Sequence, residues 1–277
     1  MRSSIIAAAA AALVIGACSP EVHKVAITAH RGYWKCEGSG YAQNSIASLA
    51  NAQEQMFWGS EFDVHLTADS VLVINHDADI QGIDIKTNPY SDIKDLVLPN
   101  GEKLSTIDDY LAQGEKTANT MLVCELKAGL TPELEDVLVD ESVAALKRHG
   151  LFTPDRVIFI SFSLHMCRKI AAEHPEFTNQ YLSSDIEPTV LWNEYGINGI
   201  DYWSPALIEH PEWISQAREL GMSINTWTPN KEEDWKTLID LGVDCITTDE
   251  PLKLRELLGD TECLTKKARK ERKALKH

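Results

Sequence analysis

Ser60-Glu61-Phe62-Asp63-Val64-His65 is a run in which polar and apolar side chains alternate. Such alternation predicts a β-strand, in which successive side chains point to opposite faces. Glu61 and Asp63 then share one face, whereas Phe62 and Val64 share the other. Because apolar side chains suit a face covered by helices, we expect the two carboxylates to point into the interior of a barrel.

Strand-like runs of this kind alternate with helix-like segments along most of the chain, as in a parallel sheet wound by helices. Eight strands are predicted, at Val25–Ala29, Ser60–His65, Met121–Leu126, Arg156–Phe162, Asn179–Ser183, Gly199–Trp203, Met222–Trp227 and Asp244–Thr248. The length of 277 residues suits one barrel. The sequence therefore predicts an α/β fold, a (β/α)8 TIM barrel over residues 25–260, with an open doubly wound sheet as the alternative.

The connection after the second strand is longer than a strand-to-helix loop needs. It contains a further short strand candidate at Val71–Asn75 and a turn at Pro99-Asn100-Gly101. We expect a small insertion over about residues 78–111. At the other end of the chain, residues 261–277 form a basic tail, interpreted as a solvated extension.

The first residues resemble a secretion signal rather than part of the fold. Arg2 precedes an apolar run at Ile5–Ile15 that is too short for a comfortable membrane span, and small residues then lead to Cys18. Residues 1–17 are therefore interpreted as a lipoprotein signal peptide, with lipidation at Cys18 and a tether over 18–24. This predicts a membrane-anchored lipoprotein of the bacterial cell envelope; an ordinary signal peptide is the alternative.

The formal net charge of −16 excludes partners that need a basic surface. Such a protein repels nucleic acid and anionic membrane surfaces, so no nucleic-acid partner is expected. An anionic substrate would need a locally cationic site. The oligomeric state is left open.

Four polar clusters follow or end the first strands: His30-Arg31, Glu61-Phe62-Asp63, His76-Asp77 and Glu125-Leu126-Lys127. In a barrel the carboxyl ends of the strands share one face, which holds the active site. Three inward carboxylates would repel one another unless they were neutralised. We therefore expect Glu61, Asp63 and Glu125 to bind a divalent metal, Ca²⁺ or Mg²⁺ before Mn²⁺. Pairing with Arg or Lys is the alternative for any single acid.

His30 and His76 each follow an apolar strand and precede a charged residue. Two imidazoles can supply one general acid and one general base to the same reaction. With a divalent metal, Arg31 and Lys127 would make the site cationic, as a phosphodiester anion requires. Without the metal the same group of side chains would be net negative.

These clusters closely resemble the glycerophosphodiester phosphodiesterase family, a (β/α)8 barrel within the phosphatidylinositol-phospholipase-C-like group. The resemblance runs from about Val25 to Leu254, with echoes at Leu104-Ser105-Thr106-Ile107, Trp227-Thr228-Pro229-Asn230 and Ile246-Thr247-Thr248-Asp249. It implies a small-molecule glycerophosphodiester substrate, hydrolysed to glycerol 3-phosphate and an alcohol. One His, beside the metal, would activate the glycerol 2-hydroxyl for attack on phosphorus. The other would protonate the leaving alcohol before water opens the cyclic phosphate.

The resemblance also assigns roles to single residues. It implies that His30 and His76 are catalytic, that Glu61, Asp63 and Glu125 bind the metal, that Arg31 and Lys127 contact phosphate, and that Trp227 lines the substrate pocket. Gln43 is also expected in the substrate pocket; it stands where the family usually has Glu, which puts metal affinity or local geometry in question. Trp34 and Tyr41, in the long loop after His30, are proposed to form a lid over the pocket that selects the leaving alcohol.

Two other functions fit parts of this pattern. A phospholipase-C-like phosphodiesterase of the same barrel group would act on intact lipid and stop at a cyclic phosphate. A non-catalytic lipoprotein that binds phosphate or sugar through a metal would not need two titrating imidazoles, so the pair His30 and His76 disfavours it.

Overall fold

The structure is a computed structural model that describes residues 25–259. In that part of the chain the strands are β1 (Ala26–Ala29), β2 (Gly59–Leu66), β3 (Leu72–Ile74), β4 (Asp79–Ile80), β5 (Ile83–Asp84), β6 (Met121–Leu126), β7 (Val157–Ser161), β8 (Asn179–Tyr181), β9 (Gly199–Trp203), β10 (Ser223–Trp227) and β11 (Cys245–Thr248). Eight of them pair in parallel in the order β1-β2-β6-β7-β8-β9-β10-β11. Because β1 pairs with both β2 and β11, the sheet is closed. The predicted TIM barrel is confirmed, and the open sheet is wrong.

The outside of the barrel is covered by helices. They are α1 (Ile46–Glu54), α3 (Ile107–Gly114), α4 (Pro132–Arg148), α5 (Leu164–Glu173), α6 (Pro188–Tyr195), α7 (Ser204–Glu209), α8 (Pro211–Glu219), α9 (Glu232–Leu241) and α10 (Pro251–Leu257), with α2 (Tyr90–Ile93) in the insertion. Several of these helices begin or end at residues that favour helix termini. The Ser45 side chain accepts from the backbone of Ser48, Pro132 occupies the first turn of α4, and Gly242 ends α9 in the left-handed region.

The insertion after β2 is built on a hairpin. Strand β3 pairs antiparallel with the end of β2, and β4 pairs with β5. Apolar residues of this segment, including Ile80, Ile85 and Ile93, form a small core of their own. The predicted end of the insertion near residue 111 falls inside α3, which starts at Ile107 behind a capping box made by Thr106 and Asp109. No helix between residues 25 and 259 is long and apolar enough to cross a membrane.

The two faces of β2 differ as the alternation predicts. Phe62 and Val64 are fully buried in the cluster that also contains residues of α3 and α4. Glu61 and Asp63 point the other way, into the barrel. The signal peptide, Cys18, the tether and the basic tail lie outside the described residues.

Candidate active site

A cavity opens at the carboxyl end of the barrel, where the predicted clusters meet. It is lined by His30, Arg31, Glu61, His76, Glu125, Lys127, Ile160, Phe162, Leu182, Asp201, Trp227, Thr228 and Thr247. Seven of the residues singled out from the sequence therefore share one cavity. Asp63 does not line the cavity itself, but it accepts a hydrogen bond from Lys127, which does.

Glu61, Asp63 and Glu125 are buried, and each offers a carboxylate oxygen within 4.8 Å of the others. One oxygen of Glu61 accepts from the backbone of Arg31 at 2.6 Å, whereas the buried Oε1 has no hydrogen-bond partner among residues 25–259. Burial and the neighbouring acids raise the pKa of Glu61 well above its usual value. The same causes raise the pKa of Glu125 to about 7. Unpaired buried oxygen in a cluster of acids is costly unless a cation satisfies it.

Asp63 is the acid whose charge is best compensated. Lys127 Nζ lies 3.0 Å from Asp63 Oδ1 and 2.8 Å from Glu125 Oε1. Asn44 Nδ2 donates to Asp63 Oδ2 at 2.7 Å. Burial opposes ionisation of Asp63, but Lys127, His76 and Asn44 lower its pKa to about 2. Despite its own burial, Lys127 has a raised pKa because it lies between two carboxylates.

This donor set fits a hard divalent cation. All three side chains offer oxygen, the preferred ligand of Ca²⁺ and Mg²⁺, and the unpaired Oε1 of Glu61 is available to one. Thiols and imidazoles, which softer metals prefer, do not belong to the group.

His30 is held by a carboxylate from the far end of the chain. Its Nδ1 lies 2.8 Å from Asp249 Oδ1, and the same carboxylate accepts from Trp34 Nε1 at 3.2 Å and from Asn230 Nδ2 at 2.8 Å. Burial would raise the pKa of Asp249, but these hydrogen bonds lower it to about 2. An ionised Asp249 requires a proton on Nδ1 of His30, which leaves Nε2 free to face a ligand.

His76 is anchored through its backbone as well as its ring. Its Nδ1 is 2.7 Å from Asp77 Oδ1, and its carbonyl oxygen lies 3.2 Å from Nε2 of His65. Burial lowers the pKa of His76. His65 continues the inward face of β2 after Glu61 and Asp63, so the alternation of residues 60–65 already indicated its direction. Its contact with His76 depends on the β2–β3 pairing.

Arg31 sits in a tight turn after β1. Its backbone is left-handed, with φ of 54°, and Gly32 follows at 75°. A Cβ on Gly32 would lie 2.3 Å from Ser48 Oγ, so only glycine fits this turn. The Arg31 guanidinium donates to Gln43 Oε1 at 2.6 Å. Gln43 thus orients Arg31 and does not line the cavity.

Trp34 and Tyr41 do not line the cavity. Trp34 contacts Asp249, and Tyr41 is 56% exposed in the same loop. Their role as a lid stays a prediction.

The rest of the cavity lining is mixed, with the apolar side chains of Ile160, Phe162, Leu182 and Trp227 beside Asp201, Thr228 and Thr247. The Phe162 and Trp227 rings meet edge to face at 5.5 Å, and Trp227 Nε1 donates to the carbonyl of Asp201 at 3.0 Å. The Asp201 side chain is 1% exposed and lies in this lining. Sequence analysis missed Asp201, because an isolated acid in a strand carries no motif. Its alternation with Ile200 and Tyr202, which pack toward the covering helices, could have indicated that it points inward.

Comparison with known proteins agrees with this geometry. A model of the "Glycerophosphoryl diester phosphodiesterase family" matches residues 30–253. The chain belongs to this family. A crystal structure of a glycerophosphodiester phosphodiesterase from Parabacteroides distasonis is 43% identical, covers 86% of this chain and 98% of its own, and has a TM-score of 0.82.

Two further relatives are more distant. The glycerophosphodiester phosphodiesterase of Caldanaerobacter subterraneus is 27% identical over 256 residues, which span 85% of this chain and 98% of that protein. A phosphodiesterase of Oleispira antarctica, solved with the product sn-glycerol-3-phosphate, is 24% identical with a TM-score of 0.73 and covers 85% of this chain and 97% of its own. At 24% identity, the similarity to the Oleispira antarctica structure supports the fold alone.

We expect the acid cluster to bind one divalent cation, measured by titration calorimetry with Ca²⁺ and with Mg²⁺. Replacing Glu61 by Gln removes a charged ligand and should weaken binding by roughly 10- to 100-fold, the scale of lost charge-assisted contacts. Glu135→Gln is the matched control, since Glu135 is a buried acid outside the cavity. Equal cation affinity in Glu61→Gln and the parent protein would contradict the assignment.

Proposed function

We propose that this protein hydrolyses glycerophosphodiesters to glycerol 3-phosphate and an alcohol, in a reaction that depends on a divalent metal and on His30 and His76. The single observation that carries the proposal is the placement of both imidazoles, together with Arg31 and Lys127, around the three-carboxylate cluster in one cavity. Family membership supports the reaction class.

Binding of the phosphodiester is the task of the cationic groups. Arg31, oriented by Gln43, and Lys127, held between Asp63 and Glu125, present fixed positive charge to a phosphate in the cavity. When bound by Glu61, Asp63 and Glu125, a divalent cation would add the charge stabilisation that a reacting phosphate requires. The formal charge of the site is then positive, although the whole protein is acidic.

Proton transfer is the task of the two imidazoles. In the proposed reaction one ring accepts the proton of the glycerol 2-hydroxyl as that oxygen attacks phosphorus, and the other ring donates a proton to the departing alcohol oxygen. Water then attacks the cyclic phosphate, with the proton transfers reversed. Asp249 fixes the ring of His30 through Nδ1, and Asp77 and His65 hold His76. Both rings are thus oriented before substrate arrives.

The location of the protein is a separate proposal. We propose that Cys18 is lipidated and tethers the barrel to a bacterial membrane, outside the cytoplasm. Support comes from the order of the charged start, the short apolar run and the small residues before Cys18. An anchored enzyme of this kind would meet glycerophosphodiesters released from lipids at that membrane.

The purified protein is expected to convert glycerophosphocholine to glycerol 3-phosphate and choline. Phosphorus NMR would measure the appearance of the phosphate product. Excess EDTA should abolish the reaction, and Ca²⁺ or Mg²⁺ should restore it, because without a cation the site lacks the charge stabilisation that the reacting phosphate requires. Accumulation of a cyclic phosphate as the only product would instead indicate a phospholipase-C-like end point. Full activity in excess chelator would contradict the metal requirement.

His30→Ala and His76→Ala should each lower kcat by roughly 10²- to 10⁴-fold, the usual worth of a general acid or base. His165→Ala is the matched control, since that imidazole pairs with Asp136 away from the cavity. The rate should fall at both low and high pH, because one ring must be neutral while the other is protonated. A rate that changes in one direction only across pH 5–9 would count against the paired roles.

Replacement of Cys18 by Ser is expected to move the protein from the membrane fraction to the soluble fraction of the cell envelope. The reason is the loss of the only thiol that a lipoprotein-type signal would modify, and acyl labelling should disappear with it. An unchanged distribution of the variant would refute the anchor and favour an ordinary signal peptide.

A further inference from the structure

One buried polar atom in the cavity is left unused by the reaction described above. Asp201, on β9, is 1% exposed, and its Oδ1 has no hydrogen-bond partner among residues 25–259. A buried oxygen without a hydrogen-bond partner is energetically costly. Asp201 also lines the cavity, so a ligand bound there would lie beside it.

Asp201 is not one of the three clustered acids, although Glu125 acts electrostatically on its carboxyl group. In the order of the closed sheet, β9 lies across the barrel from β2, with three strands between them on either side. Asp201 therefore faces Glu61 from the opposite wall. Its neighbours on that wall are Trp227 and Phe162, which are apolar toward the cavity.

The surroundings of Asp201 hold it in place without using Oδ1. Trp227 Nε1 donates to the Asp201 carbonyl, and Trp227 in turn packs against Phe162. Burial and Glu125 raise the pKa of the Asp201 carboxyl group well above its usual value, against the opposing side-chain hydrogen bond with Asn225 in the next strand. The carboxyl group is thus a preorganised polar group beside the apolar side chains of Phe162, Leu182 and Trp227, an arrangement typical of a site that recognises a ligand hydroxyl.

We propose that Asp201 binds the free primary hydroxyl of the glycerol moiety, and so selects diesters of glycerol over diesters of simpler diols. This inference rests on the proposed function. With phosphate at Arg31 and Lys127 and the 2-hydroxyl at an imidazole, the remaining primary hydroxyl is the one polar group of the glycerol unit without a partner. The wall facing the cationic groups supplies that partner.

The physical consequence is discrimination against a substrate that lacks this hydroxyl. Such a substrate would leave the buried Oδ1 of Asp201 unpaired and desolvated, which carries a free-energy penalty. A pocket of Phe162, Leu182 and Trp227 without Asp201 would not tell the two substrates apart.

The test compares two diesters of phosphocholine that both keep the reacting 2-hydroxyl. One is glycerophosphocholine, and the other carries propane-1,2-diol, which lacks the primary hydroxyl. In the parent protein we expect kcat/KM to favour glycerophosphocholine on the order of 100-fold, the scale set by leaving a buried acceptor unpaired. Asp201→Leu should reduce this preference to a few-fold, mainly through loss of rate on the glycerol substrate. Asp201→Asn, which still forms hydrogen bonds, should retain part of it.

Asp185→Asn is the control, because Asp185 is an exposed acid in the loop after β8, at the same end of the barrel. It should keep the full preference. Circular dichroism and cation titration show whether Asp201→Leu is folded with an intact acid cluster. Independently of turnover, the parent protein should bind glycerol 3-phosphate more tightly than propane-1,2-diol 1-phosphate.

The outcomes separate the two proposals. If the parent protein hydrolyses neither diester, the proposed function fails and this inference falls with it. If it hydrolyses both diesters equally, or if Asp201→Leu keeps the preference, the proposed function stands and the role of Asp201 is overturned.

Discussion

Three carboxylates held together inside a barrel are the constraint on which the rest of the site depends. Glu61 and Asp63 share a face because side chains alternate along β2, and the pairing of Asp63 with Glu125 places the third acid beside them. Their mutual repulsion must be offset locally. Lys127 does part of this, since it is the second residue after Glu125 and returns to the same face, where it meets both carboxylates.

The loop after β1 adopts unfavourable backbone conformations at two residues that contact the acid cluster. Arg31 and Asn44 both adopt left-handed conformations, each with φ of 54°. Such positions are unfavourable for residues other than glycine and persist where the surrounding contacts compensate. Here the compensation is specific: the Arg31 amide donates to Glu61, and the Asn44 side chain donates to Asp63. The loop after β1 therefore places the Arg31 guanidinium at the cavity and donates two hydrogen bonds to the acids.

Much of this could be predicted from the sequence, because it depends on local patterns. Alternation in residues 60–65 indicated which side chains face inward, and apolar runs followed by polar clusters located the carboxyl ends of the strands. The pairing of His30 with Asp249 could not be derived in this way. These residues are 219 positions apart, and they meet only because β1 pairs with β11 to close the barrel. The end of the insertion was misplaced for a related reason, since α3 is recognised by its capping box and its packing, not by the preceding loop.

The cavity walls divide the chemistry between them. Strands β1, β2 and β6 with the β3 turn carry every group that the proposed reaction asks to hold phosphate, bind a cation or move a proton, while β7, β8 and β10 contribute Phe162, Leu182 and Trp227. Charged groups on one wall act more strongly when the other wall excludes water, because the effective dielectric falls. A polar group within the apolar wall has few competing hydrogen-bond partners, so it can bind a polar atom of a ligand selectively. An acid at that position weakens the exclusion of water unless a substrate atom pairs with it, so Asp201 is better understood as part of substrate recognition than as part of the scaffold.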